Sequence, residues 1–355
     1  MTLDDFRKEI DQIDDQLLEL LNQRMEVVKK VGDLKKEQKS IIYRPEREKS
    51  IIDRLSHKNE GALNRSAIEA IFLEIFAISR NLELPERIAY LGPEGSFTHQ
   101  AAESRFGAMS EYLALASIQA VFETIDSGRA KFGVVPLENN QEGVVNETID
   151  LLGEFDLKIA AEVPMPISFA FATLAEKLVS IKKIYSKDIA FRQCKKFIDD
   201  SFTTHKIELL PVNSTSKAVQ VALSEPDSAA ICSHIAAQQH RLPILFENIE
   251  DSVNNFTRFL IISKEFYNNP SNKDKTSILA KTADKPGSLA ILLQDFYDAK
   301  INLTKIESRP AKKGKNFKYW FYIDFEGHFE DENVQTVIEK HKKDIKWLGS
   351  YLMLC

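Results

Sequence analysis

Apolar residues recur in alternating steps of three and four from the start of the chain, at Leu3, Phe6, Ile10, Ile13, Leu17, Leu20, Arg24, Val27, Val31 and Leu34. That is a heptad seam along one long helix, with nine of its ten positions apolar. The tenth is Arg24. A shorter helix is expected after Arg44-Pro45, and a third carries Ile68, Ile71, Phe72, Ile75, Ile78 and Leu82 before Pro85 ends it. From Arg87 the texture changes. IAYLG, FGVVPL, KIAAEVP and ISFAFATL have the pattern of short buried strands, interleaved with helical patterns such as SIQAVFETIDSG, DIAFRQCKKFIDD and SKAVQVALS. This alternation predicts an open α/β sheet in two lobes, closing with FTRFLIIS near residue 263. The polar stretch KEFYNNPSNKDK reads as a linker. TSILAKTA, PGSLAILLQDFYDAK, INLTKIES, FKYWFYIDFEG, DENVQTVIEKHKK and IKWLGSYLML then give the order βαββαβ, a ferredoxin-like α+β unit. The expectation is a multidomain chain: all-α over 1–86, two-lobed α/β over 87–265, and ferredoxin-like over 275–355.

The length of 355 residues supports more than one core. A net charge of −6, without a Lys/Arg run, makes nucleic acid and acidic membrane surfaces poor partners. The amphipathic, acidic opening MTLDDFRKEI lacks a secretory pattern, and no apolar stretch approaches the ~20 residues that span a bilayer. Cys194, Cys232 and Cys355 lie far apart, with neither zinc-site nor disulfide spacing. A cytoplasmic location follows as the expectation. No metal-ligand cluster and no nicotinamide fingerprint is present in the sequence, so chemistry without a cofactor is expected.

A charged residue on an apolar seam calls for a partner, because burying it alone is costly. Arg24 could snorkel or pair with a carboxylate. Lys35, eleven residues on, falls on nearly the same face, ~16 Å along the axis, so the two could hold a small anion between them. Arg7 precedes Arg24 by seventeen residues, ~25 Å along a straight helix. An antiparallel partner chain could deliver it to the same ligand, which hints at a dimer.

FRKEIDQID, LLNQR, VGDLK, the YRPERE turn and a closing Ser-x-x-x-Glu give residues 1–85 the features of a known family. The segment resembles the all-helical chorismate mutases. The resemblance implies that Arg7 comes from a partner protomer while Arg24, Lys35, Arg47, Glu48, Ser79 and Glu83 line the pocket. Rearranging chorismate to prephenate needs no nucleophile; the site holds a dianion in a compact conformer and stabilises charge on the breaking ether oxygen. Arg7, Arg24 and Arg47 suit the carboxylates. Lys35 and a protonated Glu83 are placed to donate to the ether oxygen, and Glu48 to accept from the substrate hydroxyl. Arg44 stands where some members carry aspartate, and it has no assigned role.

In the second segment YLGPEGSFTHQAA has the form strand, Gly-rich turn, helix start, which can aim backbone N–H groups at an anion. VVPLENNQEGVV offers a second polar loop at a strand end. In NNFTRF the side chains of Thr257 and Arg258 point oppositely if the backbone is extended. Each motif could equally be loop capping. Together with FRQCKKF, STSKA and AAICS, in this order, they resemble the prephenate dehydratases, two-lobed proteins like the type II periplasmic binding proteins with the active site in the cleft. The resemblance implies Thr257 as the main catalytic residue, with Glu138, Asn139 and Gln193 beside it. Asn140 replaces the usual Ser or Thr and stays unassigned. In the tail, PGSLA with Gly287, Ser288 and Leu289, and ESRP with Glu307, Ser308, Arg309 and Pro310, resemble the ACT regulatory domain of phenylalanine-sensitive dehydratases.

The implied function is a two-step conversion of chorismate through prephenate to phenylpyruvate, in a homo-oligomer that is at least a dimer, with L-phenylalanine as inhibitor. Three other readings compete. One is a periplasmic-type sensor fused to a helical dimeriser, which predicts an export signal or a DNA-binding head. Another is a dehydratase that prefers arogenate. The third, a mutase head that is only a dimerisation arm, is disfavoured by the matched charged residues.

Overall fold

The structure is a computed structural model that describes residues 2–37, 44–83, 87–203, 206–252, 254–271, 273–283, 285–310 and 319–354. The expected helix stop at Pro85 and the third cysteine, Cys355, lie outside these residues. Contacts divide the chain into two compact units, residues 1–86 with 105–111, and residues 87–104 with 112–355.

The first unit contains α1 (Leu3–Glu37), α2 (Pro45–Lys58) and α3 (Arg65–Glu83). Thr2 and Asp5 cap the start of α1 reciprocally, Thr2 N donating to Asp5 Oδ2 and Asp5 N to Thr2 Oγ1. Pro45, whose missing N–H costs nothing at a first helical position, opens α2. The long helix is as expected, but its seam is uncovered within one chain: its apolar members range from 39% exposed at Val31 to 67% at Leu3. The third helix also departs from its apolar period. Ile71, Ile78 and Leu82 are exposed, whereas Ser79, Arg80 and Glu83 are buried with Ile68 and Phe76. Polar side chains turn inward here because α1 and α3 approach closely: a Cβ on Gly32 would lie 3.0 Å from Glu83 Cα.

The second unit begins with β1 (Arg87–Leu91), α4 (Phe97–Phe106), β2 (Glu111–Leu115), α5 (Ile118–Asp126), β3 (Phe132–Asn139), β4 (Gly143–Val144), α6 (Asn146–Glu154) and β5 (Lys158–Pro166). The chain then builds a second lobe from β6 (Ala170–Thr173), β7 (Lys183–Ser186), α7 (Asp188–Gln193), α8 (Lys195–Ser201), β8 (Glu208–Pro211), α9 (Thr215–Ser224), β9 (Ser228–Cys232), α10 (His234–Gln239) and β10 (Ile244–Phe246). It returns as β11 (Phe256–Ser263), which inserts between β3 and β5 and runs antiparallel to both. The sheet orders are β2-β1-β3-β11-β5 in the first lobe and β10-β6-β9-β7-β8 in the second. The two lobes match the expectation. The helix expected over DIAFRQCKKFIDD is instead two short helices broken at Cys194. Cys194 and Cys232 are buried free thiols, and burial pushes Cys232 up to about 12. The sequence reading passed over β9 as a strand, because its small residues SAAIC carry no β-branched alternation.

The tail folds as β12 (Asp274–Lys281), α11 (Ser288–Asp298), β13 (Leu303–Pro310), β14 (Tyr319–Glu326), α12 (Glu332–Lys340) and β15 (Ile345–Leu352), in the antiparallel order β13-β14-β12-β15. This is the expected ferredoxin-like order. One sheet face packs Ile278, Ile323 and Phe325 against Leu292, Phe296, Val334 and Val337 of its helices. The other face joins the first lobe's core, where Leu279, Tyr322, Leu348 and Tyr351 meet Leu152, Leu157 and Ile159. At Gly349 a Cβ would fall 2.3 Å from the Ile159 carbonyl oxygen, so β15 lies directly on β5. The stretch read as a linker is accordingly no free tether. Phe266 and Asn268 are buried, and Asn268 Nδ2 donates to the carbonyls of Ala160 and Ser350 at 3.0 Å each.

Candidate active sites

In the helical unit, α1 and α3 bring four expected residues together. Arg24 Nη1 donates to Ser79 Oγ at 2.5 Å, while the Ser79 hydroxyl donates to the Ile75 carbonyl. Lys35 Nζ donates to Glu83 Oε2 at 2.7 Å. Ser79 and Glu83 stand one turn apart on the same face of α3. Among the described residues no carboxylate is ion-paired with Arg24, and burial lowers its pKa against the pull of Glu83. Beside the Ser79 hydroxyl, the Arg24 guanidinium has the Met25 sulfur at 4.0 Å and the Phe76 ring at 5.9 Å, so this half-buried cation keeps charge with which an anion could pair. Of the alternatives expected for Arg24, the side-chain partner present is a hydroxyl and not a carboxylate.

Glu48, in the first turn of α2, is ion-paired with Arg80, a buried residue that the sequence reading missed. Burial raises the Glu48 pKa and the Arg80 charge opposes it. A signal was available: Arg80 follows Ser79 within the Ser-x-x-x-Glu motif, one turn after Phe76 on the buried face. Arg47 is exposed at the head of α2, and Arg44 pairs with Glu46 at 3.6 Å. Arg7 is exposed and bonded to Asp4 at 3.2 Å, apart from the other pocket residues.

In the second unit the register of β3 and β11 sets the site. Thr257 lies opposite Asn139, and Arg258 opposite Glu138. Asn139 Nδ2 donates to Thr257 Oγ1 at 2.9 Å and to Asn255 Oδ1 at 2.8 Å. Its Oδ1 accepts from the backbone N–H groups of Gln141 and Glu142, which fixes the orientation of the amide. Thr257 Oγ1 therefore accepts from Asn139 and keeps its own proton to give away. Asn255 Nδ2 donates to Gln193 Oε1 at 3.2 Å, and Gln193 Nε2 to Gln141 Oε1 at 3.0 Å. A chain of amides thus runs from α7 of the second lobe to Thr257 in the first. Buried Asn255 was missed, although it stands two positions before Thr257 in NNFTRF. Asn140, unassigned from sequence, donates to the Asn254 carbonyl and accepts from Phe256 N, so it anchors the start of β11. In the Gly-rich turn, Gly95 N donates to His99 Nδ1 of the following helix, and the Gly95 carbonyl accepts from Ser233 Oγ.

Glu138 does not join this cluster. Strand alternation sends it through the sheet, where Oε1 accepts from Arg258 Nη1 at 3.0 Å and Oε2 from Lys305 Nζ at 2.5 Å. Burial alone would raise its pKa, but Lys305 and Arg258 together hold the carboxyl below its ordinary value. Arg258 Nη2 donates to Asp324 Oδ2 at 2.7 Å and to Tyr351 OH at 3.1 Å. Its Nε lies 2.9 Å from Glu162 Oε2 as an ion pair, out of line for a hydrogen bond. Lys275 closes the group on Glu162 at 2.9 Å.

In the tail, Gly287, Ser288 and Leu289 line a cavity of about 510 Å³ with Lys285, Tyr319 and Phe321. Gly287 has φ +85°, a conformation that favours glycine. Glu307, Ser308, Arg309 and Pro310 are on β13 and do not line that cavity. Arg309 instead forks Asp150 of α6, at 2.9 and 3.0 Å.

Family models match in the same three regions. Chorismate mutase type II matches residues 6–84, Prephenate dehydratase 88–266, and ACT domain 276–342. A bifunctional chorismate mutase/prephenate dehydratase of Aquifex aeolicus is 40% identical over 98% of this chain and 97% of its own. One from Pseudomonas aeruginosa is 38% identical over 97% and 96%. The chain belongs to the bifunctional chorismate mutase/prephenate dehydratases. Among solved structures, a prephenate dehydratase from Arthrobacter aurescens in complex with L-Phe covers 75% of this chain and 90% of its own, at TM-score 0.68 and 29% identity. One from Staphylococcus aureus covers 75% and 99%, at TM-score 0.61 and 26% identity. The chain is an enzyme with a mutase and a dehydratase domain, and the binding-module reading is set aside because relatives match along its whole length as enzymes. Among the described residues no helix is long and apolar enough to cross a membrane.

Proposed function

We propose that the chain works in the cytoplasm as a homo-oligomer, at least a dimer, and that its segments 1–86, 87–265 and 275–355 act as mutase, dehydratase and effector-sensing parts. In the mutase, Arg24 and Arg47, with Arg7 of a partner protomer, take the two carboxylates of chorismate. Lys35 and Glu83 serve the ether oxygen, Ser79 orients Arg24, and Glu48 accepts from the hydroxyl. The uncovered α1 seam supports the partner, since an apolar face of that length seeks cover.

In the dehydratase the electrons of the departing carboxylate aromatise the ring of prephenate and expel its hydroxyl, giving CO2, water and phenylpyruvate. The hydroxyl needs a proton or a strong hydrogen bond as it leaves. The observation that carries this reading is the Asn139–Thr257 bond, which leaves the threonine proton free for the leaving group. Asn255 accepts from the Asn139 amide, and Gln193 of the second lobe accepts in turn from Asn255. In the tail, the cavity at Gly287 to Leu289 supplies an apolar wall and the start of α11, suited to L-phenylalanine as a feedback inhibitor. Glu307 to Pro310 complete that site from a second copy of the tail.

The test is to give the purified chain chorismate and follow prephenate and phenylpyruvate. Both are expected. Lys35→Ala should remove chorismate consumption and spare turnover of supplied prephenate, and Thr257→Ala should do the reverse. Loss of both activities in either folded variant would refute two separate sites.

A further inference from the structure

The two sides of the β3–β11 pair carry different chemistry. On one side Asn139 bonds Thr257; on the other, their sequence neighbours Glu138 and Arg258 bond each other. This second pair is gripped from the tail: Lys305 of β13 holds Glu138, and Asp324 of β14 holds Arg258. Lys275 of β12 reaches Glu162, the third carboxylate around Arg258. The dehydratase side thus contributes Glu138, Glu162 and Arg258, and the tail contributes Lys275, Lys305 and Asp324. A shift of the tail sheet would part Lys305 from Glu138 and Asp324 from Arg258, and Arg258, Glu162, Asp324 and Lys275 are buried, where parted charges are costly. Such a layer favours discrete arrangements over gradual ones.

We infer that this ionic layer is the route by which ligand occupancy of the tail reaches the catalytic threonine, with Lys305 and Asp324 as positioning residues. The inference rests on the proposed roles of Thr257 and of L-phenylalanine. Lys305 is two residues before Glu307 on the strand that also carries Arg309, and Arg309 ties that strand to α6 through Asp150. Any movement of β13 is therefore delivered to Glu138, one peptide bond from Asn139. Asp324 has the same relation to Thr257 through Arg258.

The test compares, in the full chain, the dehydratase kcat at saturating prephenate with and without saturating L-phenylalanine. Calorimetry measures L-phenylalanine binding, and thermal denaturation of the second unit reports on its folding. In Lys305→Met the ligand should still bind within about two-fold, while the inhibition ratio falls by about ten-fold. Lys305→Arg should restore the ratio, and the effect should appear in kcat with KM nearly constant. Glu138→Gln weakens the same link from the other side and should act in the same direction, which covers the case of a Lys305 variant that fails to fold. Full inhibition in both variants, with ligand bound, would overturn the ionic route and leave the functional reading standing. A wild-type chain that turns over prephenate but ignores L-phenylalanine would overturn both.

Discussion

At the scale of single residues, neighbours in one strand take opposite parts. Thr257 faces the amide chain and Arg258 the ionic layer, as extended backbone requires. The same rule applied to Glu138 and Asn139 would have separated them in advance; the family motif, read as one string, grouped them. Glu48 leads to a pH prediction. Burial lifts its pKa, Arg80 opposes without cancelling the rise, and the proposed role requires the ionised form. Mutase activity should therefore decline on acidification, beginning above the ordinary glutamate value of about 4.3. Glu48→Gln should flatten that limb at a lower rate. A wild-type profile identical to that of Glu48→Gln would exclude Glu48 as the titrating group.

At the scale of elements, α1 is the informative case. Its period was plain in the sequence, and the one long helix is present, over Leu3–Glu37. Within the single chain the seam stays open to solvent. If a second copy covers the seam antiparallel, Arg7 of one chain meets Arg24 of the other. Arg7→Ala and Arg24→Ala should each lose mutase activity. Co-refolded in equal amounts, they should recover about a quarter of the wild-type rate, since half the dimers are mixed and each mixed dimer has one intact site of two. No recovery, with mixed dimers demonstrated by mass, would rule out the shared site.

At the scale of the whole molecule, the tail and the dehydratase share a core. Tyr322, Leu348 and Tyr351 of the tail pack with Leu152, Leu157 and Ile159, and a buried hydrogen-bonded stretch joins the two. Ending the chain after Ser263 would bare that face and leave Glu162 and Arg258 without Lys275 and Asp324. The shortened protein should unfold at least about 5 °C below the intact one, measured by thermal denaturation of the second unit. An unchanged midpoint would mean that the shared core contributes little to stability.

The sequence by itself determined the long first helix, the alternation of strands and helices that follows it, and the βαββαβ order of the tail. Periodicity and short motifs are local, and they survive in a linear reading. The tertiary structure decided what depends on residues far apart in the chain. It paired Arg24 with Ser79 and Lys35 with Glu83, brought in Arg80 and Asn255, and turned Glu138 toward Arg258 and Lys305, apart from Thr257. It also showed that Phe266, Asn268 and Lys275 of KEFYNNPSNKDK are buried, with partners supplied by two different sheets. Polar composition marks a segment as loop-like, but whether its polar groups meet water or protein is settled by what the fold places beside them.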